Sequence, residues 1–440
     1  MKAKLIFVPI VIIFTSFFLF PFYFTFLPDI NTKMILAALG LAILLVRMGI
    51  NGHGFISKDF FWISVCALGV SFASFLSMTL NETSDGAYLS YIVTIWVWVG
   101  AAYCVVQMIK AVHGKVNAEL ICFYMISVGV FQCLLAIAID SVPAIKNLVD
   151  SFLAGEGFMG KVDGRLYGIG CALDVAGGRF AVLLVMIAAL LPKMYKKENP
   201  NMAIAMLLVA FGIISVIGNM IGRTASVGMV IGMLYMLFVM FSKQVLDKND
   251  RSKYVFGILS FLCITILAST VLYNTSNYWY DYFRFGFEGF FSLVEKGEWD
   301  VQSNNMLMEG LVFPDNLRCW IIGDGWMGSM AEDPYYIGET WYGFYMGTDA
   351  GYSRFLFYFG LIGMTAFVIF LAKVSSVCAK YSPNFKLMFW AIFLLNLIIW
   401  CKVSTDIFLV FAPFLCLGGQ ISRQESVEGR FVESVYNVNG

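Results

Sequence analysis

The chain has 440 residues, of which 60% are hydrophobic, 17% aromatic and only 13% charged, with a mean hydropathy of +0.80. Soluble domains are about half apolar and roughly a quarter charged, so this composition excludes an ordinary soluble fold and points into lipid. Twenty-nine Lys and Arg balance twenty-nine Asp and Glu, which removes the bulk attraction that nucleic-acid binding needs, and two histidines, His53 and His113, are too few for an imidazole-based zinc site.

A membrane-crossing helix takes about 20 apolar residues, and windows of that size give twelve segments: 5–27, 34–50, 60–80, 88–109, 118–139, 171–192, 202–218, 225–241, 254–273, 351–372, 387–401 and 403–420. The first follows Met1-Lys2-Ala3-Lys4 like a signal peptide, but Ser16-Phe17-Phe18-Leu19-Phe20-Pro21-Phe22 offers no small-x-small cleavage site, so a retained anchor helix is expected. The eleventh is 15 residues long, about 22 Å of helix and too short to span alone. Two short helices meeting at a polar turn that holds Lys402 and Asp406, an i, i+4 pair, fit better. The expected fold is therefore an all-α, polytopic integral membrane protein of about twelve transmembrane helices. It forms one domain over 1–440, with a large extracytoplasmic loop subdomain, 274–350, between helices nine and ten. Nearly all of the ten cysteines fall in apolar runs and no CxxC occurs, so most read as small packing residues.

Lys and Arg collect in cytoplasmic loops. A cytoplasmic N-terminus places 18 of the 29 basic residues inside and only eight of the 29 acids, a sharp charge dipole along a neutral chain. Both termini are then cytoplasmic.

Outer loops are short except 140–170 and 274–350, and an ordered loop of the second one's length usually carries function. It holds three basic residues against twelve acids, with many Trp and Tyr, including Trp279, Trp299, Trp320, Trp326, Tyr335, Tyr336, Trp341 and Tyr342. Such rings either stack on sugars or form an interfacial belt. Phe283, Phe287, Phe290, Phe291 and Val294 follow the spacing of one apolar helical face, which predicts a single helix lying on the outer leaflet.

The arginines carry the strongest chemical signal. The apolar run from Arg179 to Lys193 covers about 21 Å of helical rise, so the helix must start earlier and Arg179 must lie below the outer surface, where a permanent charge is costly. Arg223 opens another helix in Gly222-Arg223-Thr224, and Arg165 precedes Leu166-Tyr167-Gly168-Ile169-Gly170 on the same side. Planar guanidinium forks suit a diphosphate whose apolar tail stays in lipid. The plainer reading is snorkelling, or pairing with Asp163 or Asp174. Where the long loop returns, Gly347-Thr348-Asp349-Ala350-Gly351-Tyr352-Ser353-Arg354 puts Asp349 just outside a helix start. There it serves either as a cap or as a base or acceptor for a sugar hydroxyl.

At Arg165 with its glycine-rich sequel, Gly222-Arg223-Thr224, Ile322-Gly323-Asp324-Gly325-Trp326, and Asp349 followed by Gly360 and Gly363, the chain resembles the Wzy-type O-antigen and capsular polysaccharide polymerases. More loosely it resembles the group that includes the O-antigen ligases. Ligases of similar layout carry a histidine where Asp349 stands, and this loop has none, which favours polymerase. The resemblance implies polymerisation of undecaprenyl-diphosphate-linked oligosaccharide repeat units at the periplasmic face of the bacterial inner membrane, with the bilayer and a chain-length regulator as partners and no cofactor or metal. It implies a site with Asp349 and Arg223 in catalysis, and Arg165, Arg179, Arg223, Tyr352, Arg354, Lys402 and Asp406 in substrate binding. A ligase, or a flippase or transporter of lipid-linked oligosaccharide, is the competing expectation. A transporter's two similar halves are not visible.

Overall fold

The computed structural model describes residues 6–51, 57–153, 165–197, 200–242, 245–328 and 344–418. Asp163, Tyr335, Tyr336, Trp341, Tyr342 and both termini lie outside these. The described chain is a helical bundle in which eight helices are long and apolar enough to cross a membrane, and an all-α polytopic membrane protein is what it forms.

In chain order the elements are α1 (Val8–Leu19), β1 (Tyr23–Phe24), β2 (Leu27–Asn31), α2 (Thr32–Asn51), α3 (Lys58–Asn81), α4 (Tyr91–His113), α5 (Ala118–Ser141) and α6 (Pro143–Phe152). Then follow α7 (Leu173–Met194), α8 (Asn201–Ile221), α9 (Ala225–Phe241) and α10 (Lys248–Thr275). The long loop carries α11 (Asn277–Gly286), α12 (Glu288–Lys296), α13 (Gln302–Glu309) and α14 (Leu317–Ile322). The bundle closes with α15 (Gly351–Tyr381), α16 (Lys386–Ile399) and α17 (Phe408–Leu415). Each of the twelve apolar segments carries one helix.

Three expectations need correction. The 5–27 segment is not one helix: α1 ends at Leu19, and β1 and β2 pair as an antiparallel hairpin. Pro21 is the cause, because it offers no N–H and pushes Phe20 out of helical geometry (φ −128°, ψ 73°). The outer-leaflet helix is broken in two at Phe287 (φ −122°, ψ 26°), and of its expected apolar face Phe290 and Val294 remain exposed. Gly286 packs on the backbone at Asn219 and Met220 instead. Lys402 and Asp406 do not pair with each other, because the stretch that joins α16 to α17 is not helical and the i, i+4 geometry never forms.

The bundle is built around α7, in which every residue from Ala176 to Pro192 is buried. It packs on α8, α9 and α16, while α3 packs on α4 and on α15. Helix α10 is peripheral, burying only Tyr254 and Ile258. Side-chain caps at Ser57 and Asn117 accept the amides of Phe60 (3.1 Å) and Leu120 (2.9 Å), fixing where α3 and α5 begin.

The two ends of the bundle differ. At one, Lys380 pairs with Asp59 at 2.8 Å, Lys197 with Glu119, and Lys193 donates to the Asn384 carbonyl. The other gathers the hairpin, α6, the 165–172 segment, the long loop and the α16–α17 turn. There Thr25 donates its amide to the Phe152 carbonyl (2.9 Å), and the Tyr91 hydroxyl donates to Asp406 (2.7 Å).

Candidate functional site

The long loop is anchored by a kink in α15. Gly360 adopts φ 63°, ψ −166°, which frees the carbonyls of Phe357 and Tyr358 from helical bonding. The amides of Asp324 (2.6 Å) and Gly325 (3.1 Å) take them. Gly323 (φ 77°) and Gly325 (φ 80°) supply the left-handed turn. A Cβ at Gly360 would stand 2.4 Å from the Ile321 carbonyl carbon. From α3 and its sequel, Asn81 donates to the Gly323 carbonyl (2.9 Å), Thr83 to that of Gly325 (3.0 Å), and the Asp85 carboxylate accepts the amides of Met327 (2.8 Å) and Gly328 (2.9 Å). Thus Ile322-Gly323-Asp324-Gly325-Trp326 docks the loop onto the bundle. Burial raises the pKa of Asp324 above its ordinary value.

Beside this dock lies Asp349. The expected cap is not formed: Ala350 is the N-cap of α15, and the Ala350 amide donates to Thr348 Oγ1. Asp349 is partly buried, and among the described residues its carboxylate has neither hydrogen bond nor ion pair. Its pKa is pushed up to about 6, first by burial and then by the nearby charge of Asp174, with Arg354 and Lys402 pulling it down. Arg354 donates to Ser404 Oγ (2.8 Å) and the Met327 carbonyl (3.2 Å), with its guanidinium 4.0 Å from the Phe344 ring centre. It therefore ties the loop to the α16–α17 turn. Tyr352 turns away, donating to the Leu397 carbonyl (2.8 Å) and packing on Trp400, as a helix-to-helix contact.

Asp174, in the first turn of α7, accepts from Lys402 Nζ (2.9 Å) and from the Thr224 hydroxyl. Close approach makes this possible, since a Cβ at Gly177 would meet the Gly222 carbonyl at 2.8 Å. Leu173 enters the helix at φ 56°, a left-handed conformation that costs a non-glycine residue about 1–2 kcal/mol. Arg223 pairs with Glu288 of the long loop. The guanidinium carbons of Arg165 and Arg223 lie 4.9 and 4.6 Å from the centre of one ring, Phe285, and Arg165 lies within the field of Asp174. Gln132 holds the segment that carries Arg165, exchanging hydrogen bonds with both backbone groups of Ile169 (3.0 and 3.1 Å).

Arg179 stands apart from this pair. It is five residues beyond Asp174, about 140° around the helix, and faces Phe20 (5.5 Å) and Cys171. Asp406 is likewise turned from Lys402, accepting from Tyr91 and from the Phe408 amide (2.7 Å).

The structure thus brings together Arg165, Arg223, Lys402, Arg354 and Asp349, and separates from them Tyr352, Arg179 and Asp406. Sequence reasoning missed Phe285, Glu288, Asp174 as the partner of Lys402, Lys33 and Asp85. Of these only Asp174 carried a signal, as an acid opening a helix that also holds a buried arginine. No family model, no curated protein and no solved structure matches the chain.

Proposed function

We propose that the protein polymerises undecaprenyl-diphosphate-linked oligosaccharide repeat units, at the periplasmic face of the bacterial inner membrane, through twelve spans with both termini cytoplasmic. The observation that carries this reading is the joint placement, at one end of the bundle, of two guanidinium groups on a shared aromatic ring and an unpaired carboxylate with a pKa of about 6. At neutral pH that carboxylate is mostly ionised and is poised to take a proton.

In this reading Asp349 accepts the proton of an acceptor sugar hydroxyl as the hydroxyl oxygen bonds to the donor's anomeric carbon. The bond from that carbon to the diphosphate oxygen breaks, and the lipid diphosphate leaves with the electron pair. Arg165 and Arg223 meet the charge that develops on it, with Lys402 nearby on Asp174. Arg354 fixes the loop beside the carboxylate rather than touching the reacting atoms. Energy comes from the activated diphosphate, so no cofactor is called for.

Purified protein incubated with a lipid-diphosphate repeat unit should give a ladder of products on a gel, lost in Asp349→Asn and Arg223→Met. Transfer of a single unit to an acceptor lipid would make the protein a ligase, and movement of intact substrate across the bilayer without new bonds would make it a flippase.

A further inference from the structure

On the opposite side of the α7 N-terminus, Arg179 is only 8% exposed, and among the described residues its guanidinium makes no hydrogen bond and has no carboxylate within ion-pair distance. Lys33, in the first turn of α2, is near enough to repel it, with Nζ 4.3 Å from the centre of the Trp98 ring. The carboxylate whose field reaches Lys33 is Asp406, which is already committed to the Tyr91 hydroxyl and the Phe408 amide. Lys33 therefore has one anion nearby, already engaged, and Arg179 has a neighbouring cation and, among the described residues, no carboxylate of its own. The faces of Phe20 and Trp98 offset only part of the cost of holding them there.

The α16–α17 turn lies between this pair and the first site, with Lys402 bonded to Asp174 on one side and Asp406 turned to Tyr91 and Lys33 on the other. We infer that Lys33 and Arg179 form a second oxoanion site, separate from the Arg165 and Arg223 pair, which takes the phosphate groups of a second lipid-borne substrate. This rests on the proposed function, in which donor and acceptor both carry a lipid diphosphate. A buried guanidinium fork without a partner is a ready bidentate host for phosphate oxygens, and Lys33 supplies the second point charge. The phosphate of an ordinary anionic phospholipid offers the same chemistry, so the test separates the two.

The full-length protein, reconstituted in phosphatidylcholine nanodiscs, is titrated with inorganic diphosphate by calorimetry at low salt. Wild type should bind two equivalents. Arg179→Gln and Lys33→Met should each weaken one of them tenfold or more, leaving the one that Arg223→Met removes. Lys33 is only partly buried, so Lys33→Met decides the matter if Arg179→Gln fails to fold. A single equivalent lost only in Arg223→Met would overturn the second site and leave the proposed function standing. Binding indifferent to all three variants would overturn both. In nanodiscs containing phosphatidylglycerol both equivalents should persist; loss of the Arg179-dependent one would assign the site to bulk phospholipid and refute a substrate role.

Discussion

Replacing Asp349 by Asn should make the protein inactive and more stable. The carboxyl's displacement from its usual 3.8 to about 6 corresponds, at 1.36 kcal/mol per pH unit, to about 3 kcal/mol against the ionised form. Screening at a partly exposed group reduces this to about 2 kcal/mol. The folded-state pKa is raised, so between 3.8 and about 6 the native state binds more protons than the unfolded state, and stability falls as pH climbs through that window. The destabilisation is fully present above pH 6 and absent below pH 3.8. Asparagine keeps the shape and removes the charge. Thermal unfolding of the detergent-solubilised protein should show Asp349→Asn melting about 2–4 °C above wild type at pH 8, with roughly half that gain left at pH 5. A lower melting point at pH 8, or a gain unchanged at pH 5, would refute the account of Asp349 as an unpaired and partly desolvated carboxylate. The same burial should appear in turnover as an acid limb with a midpoint near 6.

Glu288 occupies Arg223 and must be displaced by an incoming phosphate. Glu288→Gln should tighten inorganic diphosphate binding about tenfold, read by calorimetry, whereas weaker binding would make Glu288 an orienting group. Lys402→Met leaves the Asp174 carboxylate, among the described residues, with the Thr224 hydroxyl as its hydrogen-bond donor and Arg165 as its nearby charge, costing about 1–3 kcal/mol. Combining it with Asp174→Asn should restore most of that in a double-mutant cycle of thermal stability. Gly360→Ala puts a Cβ 2.4 Å from backbone at a left-handed φ. It should cost about 2 kcal/mol or more and undock the 322–327 stretch, seen as faster cleavage of the long loop by added protease.

Each apolar window holds a helix, and eight of these helices are long and apolar enough to cross a membrane, because lipid demands uninterrupted hydrophobic length, a property visible in one dimension. Where the windows erred, a local rule was outweighed by hydropathy. Phe20-Pro21-Phe22 is apolar enough to extend α1, yet Pro21 ends it, and the proline was there to be weighed. Counting helical rise puts Arg179 below the outer surface, and within the protein its side chain is buried. Its separation from Arg165 and Arg223 did not follow, because it depends on which face of α7 each neighbour covers. Lys402 and Asp406 misled for a related reason: i, i+4 spacing pairs two residues only on a helix, and Trp400 Nε1 instead donates to the Thr405 carbonyl (2.7 Å), closing a turn. Phe285, two residues beyond Phe283, falls about 200° around a helix, opposite the counted apolar face of 283–294, so periodicity passed over the ring that both arginines share.

The contrast between the two ends of the bundle is what makes the site a site. At the α5–α7–α15 end, charges meet partners where solvent reaches them: Lys380 and Lys197 are largely exposed and each has its carboxylate. Pairs of that kind contribute little and ask little of the fold. At the opposite end Arg179 is buried without a carboxylate and Asp349 stands without a hydrogen bond among the described residues. There α15 also bends at Gly360 and α7 starts from a left-handed leucine. Each of these choices is destabilising by itself, and simpler sequences would avoid them: methionine in place of Arg179, asparagine in place of Asp349. Buried or half-buried charge of both signs without a partner among the described residues, backed by well-packed α7, is the arrangement expected where a ligand supplies partners.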